Sequence, residues 1–361
     1  MQKIKDVLQG IDRQEIDASL PLVSIVASAL NEESILENRL NSLYDYLKTL
    51  KDRYNFEVIL INDGSKDRTG AIMEKFAAEH GRTLILHHRQ NLGLGRSLQD
   101  AFSLTHGKYV VTTDIDLSCP LYHIELLLNK IMSTDATIVI ASPTMEGGRM
   151  LNVPPLRKFL SKMANGLLSS LTTKDISNFT HMMRVYKGDF IRSTNLRSNG
   201  MEVMPEVIYK AIIRGEKIEQ IPAVLDWGVE SKKTGRQSKM RVLHHTLATL
   251  MTSFILHPFF YFIFPGLLIF FFSLYPLGWM FAHFIEAYNQ VGADSSFLDH
   301  ASHAFALAYA TSPHTFFMGL FSLLLALQLI ALGFLSLQNK HYYEETFDML
   351  SKISKKMAER P

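Results

Sequence analysis

The chain has 361 residues, enough for one large domain or two ordinary ones, and its net charge of +2 excludes a general nucleic-acid binder and an acidic tail protein. A single cysteine, Cys119, excludes an intramolecular disulfide and argues against a thiolate zinc site, and the 14 histidines are scattered or adjacent without metal-binding spacing. Apolar residues make up 47% of the chain but are unevenly spread, so the last third reads as built for a different solvent.

In chain order, the opening MQKIKDVLQGIDRQEIDASLP is charged and lacks an apolar stretch, so no cleaved leader is expected and the first domain is placed in the cytoplasm. Strands are expected at Leu22–Ser28, Phe56–Asn62, Thr83–His88, Tyr109–Asp114 and Ala136–Ser142, with helical spacing over Glu33–Leu50 and Thr69–His80. Alternating strands and helices predict an α/β fold with a mostly parallel sheet covered on both faces. Ligands bind beyond the carboxyl ends of such strands. Polar residues gather there: Asn31 and Glu32, then Asp63, then Asn91, then Asp114 and Asp116.

Three of these ends carry recognisable patterns. In NDGSKDRTG (Asn62–Gly70), Ser65 or Asp67 is suited to cap the next helix, whereas Asp63 has no charge partner nearby in sequence and is a candidate to bind a base or ribose. NLGLGRS (Asn91–Ser97) lacks the third glycine of a dinucleotide fingerprint and follows the third strand, so Gly95 is read as letting backbone approach a ligand or as opening a helix, with Arg96 adding positive charge. In TTDIDLSCP, an extended segment would point Asp114 and Asp116 to one side, where their mutual repulsion calls for a cation. Hard oxygen ligands suit Mg²⁺ or Mn²⁺. The plain alternative is a helix cap with a solvated neighbour.

Residues 254–284 and 316–338 contain no Asp, Glu, Lys or Arg, and each is long enough to cross a bilayer. Pro258, Pro265 and Pro276 are expected to bend the first span. Basic flanks on both sides, and a connector without Lys or Arg, put both termini in the cytoplasm. The expected organisation is a catalytic domain over 1–230, a basic juxtamembrane segment over 231–253, a hairpin over 254–338 and a cytoplasmic tail over 339–361.

VSIVASALNEE, VILINDGSKDRTG, NLGLGRSLQDAF and GKYVVTTDIDL resemble, in order and spacing, the family 2 glycosyltransferases of GT-A fold. RKFLSKMANGL, KDISNFTHMMRVY, IEQIPAVL and TGRQSKMR narrow the resemblance to the polyprenyl-phosphate group, the dolichol-phosphate mannose synthase-like enzymes. It covers about Leu22 to Arg241, with the hairpin alike in kind. The resemblance implies a nucleotide-diphosphate sugar donor, a divalent cation (Mg²⁺ or Mn²⁺) and an undecaprenyl- or dolichyl-type phosphate acceptor in the membrane. It places Ala29, Leu30, Asn31, Glu32 and Asp63 at the nucleoside and Asp114 and Asp116 at the metal and diphosphate. Arg236, Ser238 and Lys239 match the basic element that meets phosphate, and Glu202 lies where relatives carry an acidic residue. Elementary electrostatics offers a second reading of the basic run, attraction to anionic headgroups, and of Glu202, an ordinary helix-start carboxylate.

Several positions depart from the pattern. Ser28, Ala29 and Leu30 replace proline-alanine-tyrosine, Ser118 replaces a glutamine, and Pro143 replaces an arginine for which Arg149 or Arg157 is the substitute. The signature of processive synthases is absent, which implies one sugar per turnover. The expected activity is inverting transfer of that sugar to a polyprenyl phosphate. A protein or glycan hydroxyl as acceptor, a silent nucleotide-sugar binder, and assembly into a homo-oligomer all stay open.

Overall fold

A computed structural model describes residues 17–155, 158, 176–228, 259–291 and 296–358. The chain divides into two compact units, 1–250 and 251–361. The domain boundaries expected at 230 and 253, and Pro258, lie outside the described residues.

In the first unit the strands are β1 (Leu22–Ala29), β2 (Asn55–Asn62), β3 (Thr83–His87), β4 (Tyr109–Thr112), β5 (Ile138–Ser142), β6 (Arg149–Leu151), β7 (Arg184–Lys187), β8 (Ile218–Pro222) and β9 (Val224–Asp226). Helices α1 (Leu36–Lys48), α2 (Thr69–Glu79), α3 (Leu94–Leu104), α4 (Tyr122–Thr134), α5 (Gly188–Ser193) and α6 (Val203–Ile213) alternate with them. The main sheet runs β3-β2-β1-β4-β7-β5-β8, and β6 pairs with β9 in a small parallel ribbon. The apolar runs of β1, β2, β4 and β5 are buried on both faces, as a parallel sheet requires. On one face Ile25, Val111 and Val139 pack with Leu36, Leu40 and Leu43 of α1 and Ile124 and Leu127 of α4. On the other, Val26, Ile59 and Ile140 pack with Leu98 of α3 and Val207 and Ile208 of α6.

One expectation needs correction, and one strand joins those expected. Strand β4 ends at Thr112, not Asp114: Thr113 N–H still bonds to Val26 O (3.0 Å), and the chain then turns, with Leu117 at φ +53°. The sheet also contains β7, which runs antiparallel between β4 and β5, pairing Arg184 with both Thr112 and Ile140. Arg184 is fully buried there. Its Nε donates to His181 O (2.8 Å), Nη1 to Met204 O (2.8 Å) and Nη2 to Phe179 O (2.6 Å). Burial holds this guanidinium below its ordinary pKa, and three carbonyls take the place of a counter-ion.

The second unit opens with a π-helical turn (Phe259–Ile263), followed by α7 (Phe264–Gln290), α8 (Phe297–Thr311) and α9 (Pro313–Ala358). Two stretches, Tyr261–Gln290 and Pro313–Asn339, are long and apolar enough to cross a membrane, so the first runs six residues beyond its expected end. Phe271, Tyr275, Phe321 and Phe334 are each more than 60% exposed, the reverse of a water-soluble helix pair and the surface that lipid requires. Small residues let the two long helices meet: a Cβ on Gly266 would fall 2.8 Å from Ile330 Cγ1. Pro265 sits in the first turn of α7, where its missing N–H costs nothing, and Pro276 lies inside that helix. The connector contains α8, whose Ala304 and Ala308 are buried with Ala287 and Phe316.

Replacing Arg184 by Met removes three buried hydrogen bonds to carbonyl oxygens, at about 1–3 kcal/mol each. Thermal melting of the Arg184→Met protein should show a loss of about 3 kcal/mol or more; a melt unchanged from wild type would contradict the stapling role.

Candidate active site

The acidic turn that follows β4 holds its shape through both side chains and backbone. Ile115 and Cys119 point into the core while Asp114 and Asp116 stay partly exposed, so a turn rather than strand alternation presents the two carboxylates. Asp116 Oδ1 accepts Ser118 N–H (2.8 Å), and Asp114 O accepts Leu117 N–H (3.3 Å). Ser118 O accepts Asp226 N–H (2.9 Å), and buried His123 bridges Pro120 O (2.9 Å, from Nδ1) and Val224 N–H (3.3 Å, to Nε2). The turn is therefore tied to β9 at two points. Burial, and then Asp114 and Asp116, push the Cys119 thiol up to about 12, so it remains a thiol at physiological pH. Two part-exposed carboxylates can hold a hard divalent cation whose remaining ligands come from water and phosphate. Among the described residues no group of three or more His, Cys, Asp or Glu comes together as a self-sufficient metal site.

Asp63, at the end of β2, is almost fully buried and its oxygens are occupied. Oδ1 accepts Leu92 N–H (2.9 Å) and faces His88 Nδ1 (2.8 Å), and Oδ2 accepts Gly93 N–H (2.9 Å). His88 Nε2 reaches Asp100 Oδ2 (3.2 Å), which also accepts Arg96 Nε–H (2.9 Å). Sequence reasoning missed His88 and Asp100. The signal was the β2–β3 register: Asn62 pairs with His87, which sets His88 beside Asp63.

The loop after β1 is zipped to the one after β2. Asn31, at φ +57°, donates its N–H to Ser65 Oγ (3.0 Å) and accepts Lys66 N–H on Oδ1 (2.8 Å). Glu32 N–H reaches Thr69 Oγ1 (2.8 Å), and Glu33 N–H reaches Asp67 Oδ2 (3.2 Å). Asp67 also accepts Thr69 N–H (3.0 Å), but the N-cap of α2 is Arg68 and carries no side-chain cap, so neither Ser65 nor Asp67 takes the capping position expected of them. Ala29 is buried at the end of β1, Leu30 is half-buried and Asn31 is exposed.

The third loop meets the chain's own backbone. Gly95 N–H donates to Asn199 O (2.7 Å), and a Cβ on Gly95 would overlap Ser198 O. Glu206 holds that partner loop by accepting Arg197 and Ser198 N–H (2.9 Å each) and Lys210 Nζ–H (2.5 Å). Glu202 precedes α6 and accepts Gly200 N–H (3.0 Å). Asn91 is exposed and accepts Gly93 N–H (2.9 Å). The structure thus joins Asp63, Asn91, Gly95, Arg96 and Glu202 into one set of docked loops, with Ala29–Glu32 zipped alongside and the acidic turn on the neighbouring strand. Arg149 is exposed on β6. Arg157, Arg236, Ser238 and Lys239 lie outside the described residues.

Residues 24–193 match the family model for glycosyl transferase family 2. This stretch is similar to a family 2 glycosyltransferase domain. It has an α/β architecture with a mostly parallel sheet. Similar proteins include a glycosyltransferase of Haloferax volcanii (27% identity, 57% of this chain and 33% of that one) and a dolichyl-phosphate beta-glucosyltransferase of Trichomonas vaginalis (31%, 40% and 46%). An undecaprenyl-phosphate mannosyltransferase of Micrococcus luteus is 28% identical over 51% of this chain and 78% of that one. The chain thus spans less than half the length of the first two. Glucosyl-3-phosphoglycerate synthase from Mycobacterium tuberculosis, solved with Mn²⁺, UDP and glucosyl-3-phosphoglycerate, aligns at 17% identity and a TM-score of 0.49 over 64% of this chain and 80% of its own.

Gly95 provides a test in which two effects oppose each other. Helix propensity alone makes Gly95→Ala stabilising by about 1 kcal/mol. The overlap with Ser198 O is with backbone and cannot be relieved by a rotamer change, so the variant should instead lose about 1–3 kcal/mol in a thermal melt. A stabilised variant would contradict the docking.

Proposed function

We propose that the protein transfers one sugar, with inversion, from a nucleotide-diphosphate sugar to a polyprenyl phosphate in the membrane. The observation that carries this reading is the pair of part-exposed carboxylates on an anchored turn of a domain similar to the family 2 glycosyltransferases, in a chain that also has two helices suited to lipid. Relatives named for dolichyl-phosphate and undecaprenyl-phosphate transfer support the acceptor class.

The chemistry asks little of a general base. A phosphomonoester has its second pKa near 6 and is about dianionic at neutral pH, hence already a nucleophile. Its oxygen bonds to the anomeric carbon from the face opposite the leaving group. The bond from that carbon to the diphosphate breaks, and the electron pair departs with the nucleoside diphosphate. The task left to the protein is to hold two anions together in line. Asp114 and Asp116 would hold Mg²⁺ or Mn²⁺, which when bound neutralises the leaving diphosphate as a Lewis acid. Ala29, Leu30, Asn31 and Glu32 would line the nucleoside, with Asp63 fixing the loop from Asn91 to Gly95 beside it. Arg96 and Glu202 would border the donor, Arg149 or Arg157 would supply positive charge near the sugar, and Arg236, Ser238 and Lys239 would meet phosphate. The basic flanks of the hairpin would put both termini on the cytoplasmic side, where nucleotide sugars are found.

Full-length protein given radiolabelled nucleotide sugars and undecaprenyl or dolichyl phosphate should form an acid-labile lipid-linked product. EDTA should stop the reaction, and Asp116→Asn, whose amide oxygen can still accept Ser118 N–H, should slow it about a hundredfold or more. Full activity in EDTA would remove the metal from the account, and an acid-stable product would move the acceptor to a hydroxyl.

A further inference from the structure

In the second unit, α7 and α9 lie antiparallel in one register: Gly266 meets Ile330, Gly319 meets Leu277 and Gly333 meets Ile263. Ser312, just before α9, is level with His283, and the two side chains meet (Oγ to Nε2, 3.3 Å). Residues 284–290 of α7 therefore continue past the start of α9, and α8 packs on that overhang. Its Ala304 and Ala308 are buried with Ala287 and Phe316, and near its start His300 Nε2 donates to Tyr288 O (2.8 Å) while its ring stacks on Tyr288 (4.2 Å). Phe305 and Tyr309 set their edges against Phe316, with ring centroids 5.2 and 5.7 Å away. One flank of α8 is left apolar and open. Leu298, Phe305 and Tyr309 share it by helical spacing and are 76%, 50% and 40% exposed, with Phe297 ahead of them and Leu307 apart on the other flank. His303 and Ala310 are exposed on the opposite side.

The depth of α8 follows from helix length. The apolar stretch of α9 ends at Asn339, and Lys340 comes next. About 30 Å of hydrocarbon, or about 20 residues of helix, counted back from there reaches the turn containing Gly319. His283, Phe316 and the helix packed on them stand just beyond it, in the headgroup layer. Trp279, one turn before His283, is half-exposed, as aromatic residues at that boundary are.

We propose that α8 lies along the leaflet away from Lys340, with Leu298, Phe305 and Tyr309 sunk into the boundary between headgroups and acyl chains. The connector of the hairpin is then a third lipid-contacting element rather than a loop in water. The stripe continues the outward apolar surface of the spans, since Tyr309 also meets Phe317 (6.1 Å), itself exposed at the start of α9. Residues 283–314 contain no Lys or Arg, so acyl chains and not anionic headgroups are what this helix attracts. The inference rests on the two long helices crossing a membrane and is independent of the reaction.

Single spin labels on the full-length chain in phosphatidylcholine nanodiscs read this directly. The native Cys119 is buried and stays in place, and wild-type protein carried through the labelling supplies the blank. Labels at Leu298→Cys and Phe305→Cys should collide with oxygen in preference to a water-soluble nickel chelate, by a ratio several-fold higher than labels at His303→Cys and Ala310→Cys. Equal access of the nickel chelate to all four would put α8 in water. Labels at 298 and 305 hidden from both reagents and broadened by spin–spin coupling would put a second copy of the chain on the stripe. Either result overturns the inference alone. Phe271→Cys, on the exposed face of the first span, is the control, and free access of nickel there would overturn the membrane-spanning reading itself.

Discussion

A guanidinium buried in the middle of the sheet, with carbonyl oxygens where a carboxylate would ordinarily stand, sets the layout of the first unit. Arg184 joins β7 and the loop before it to the start of α6, 20 residues on. Because β7 runs against its neighbours, its beginning lies at the edge where β4 and β5 finish. The acidic turn and the loop that enters β7 consequently leave the sheet at the same edge. Taking a charged group out of water is expensive, and directed hydrogen bonds are what make it tolerable.

Around that edge, side-chain carboxylates act as backbone acceptors. Asp63, Asp67, Glu206 and Asp116 each accept main-chain N–H groups that loop geometry leaves without a carbonyl. Such loops are ordered without being part of the sheet. The division of labour among the acidic residues follows from it. Asp63 has spent its oxygens on Leu92, Gly93 and His88, whereas Asp114 and Asp116 remain partly open to solvent at the head of β4. A cation is attracted to the place where negative charge is concentrated and still accessible.

Much of this architecture was legible in local pattern. Strands β1, β2, β3 and β5 fall within one or two residues of their expected bounds, since continuous Val- and Ile-rich runs have few other ways to be buried. The uncharged stretches of the last third became the two long apolar helices for the same reason. What pattern could not reveal depends on partners far away in the chain. Arg184 reads as a surface residue until the carbonyls of Phe179, His181 and Met204 are seen around it. Asp63 looks unpartnered because His88 lies 25 positions on, and Gly95 looks poised for a ligand because Ser198 and Asn199 lie about a hundred residues away. The i, i+2 logic applied to Asp114 and Asp116 failed for a local reason: the strand had already ended at Thr112.

The claim on which the functional account depends is that the acidic turn binds a divalent ion together with a nucleoside diphosphate. Electron paramagnetic resonance of Mn²⁺ titrated into the full-length chain, with and without UDP or GDP, reads this directly. The account predicts a bound Mn²⁺ signal that strengthens when the nucleoside diphosphate is added and disappears when Asp114 and Asp116 are both changed to Asn. Equal Mn²⁺ binding by wild type and the double variant, in the presence of nucleotide, would contradict it.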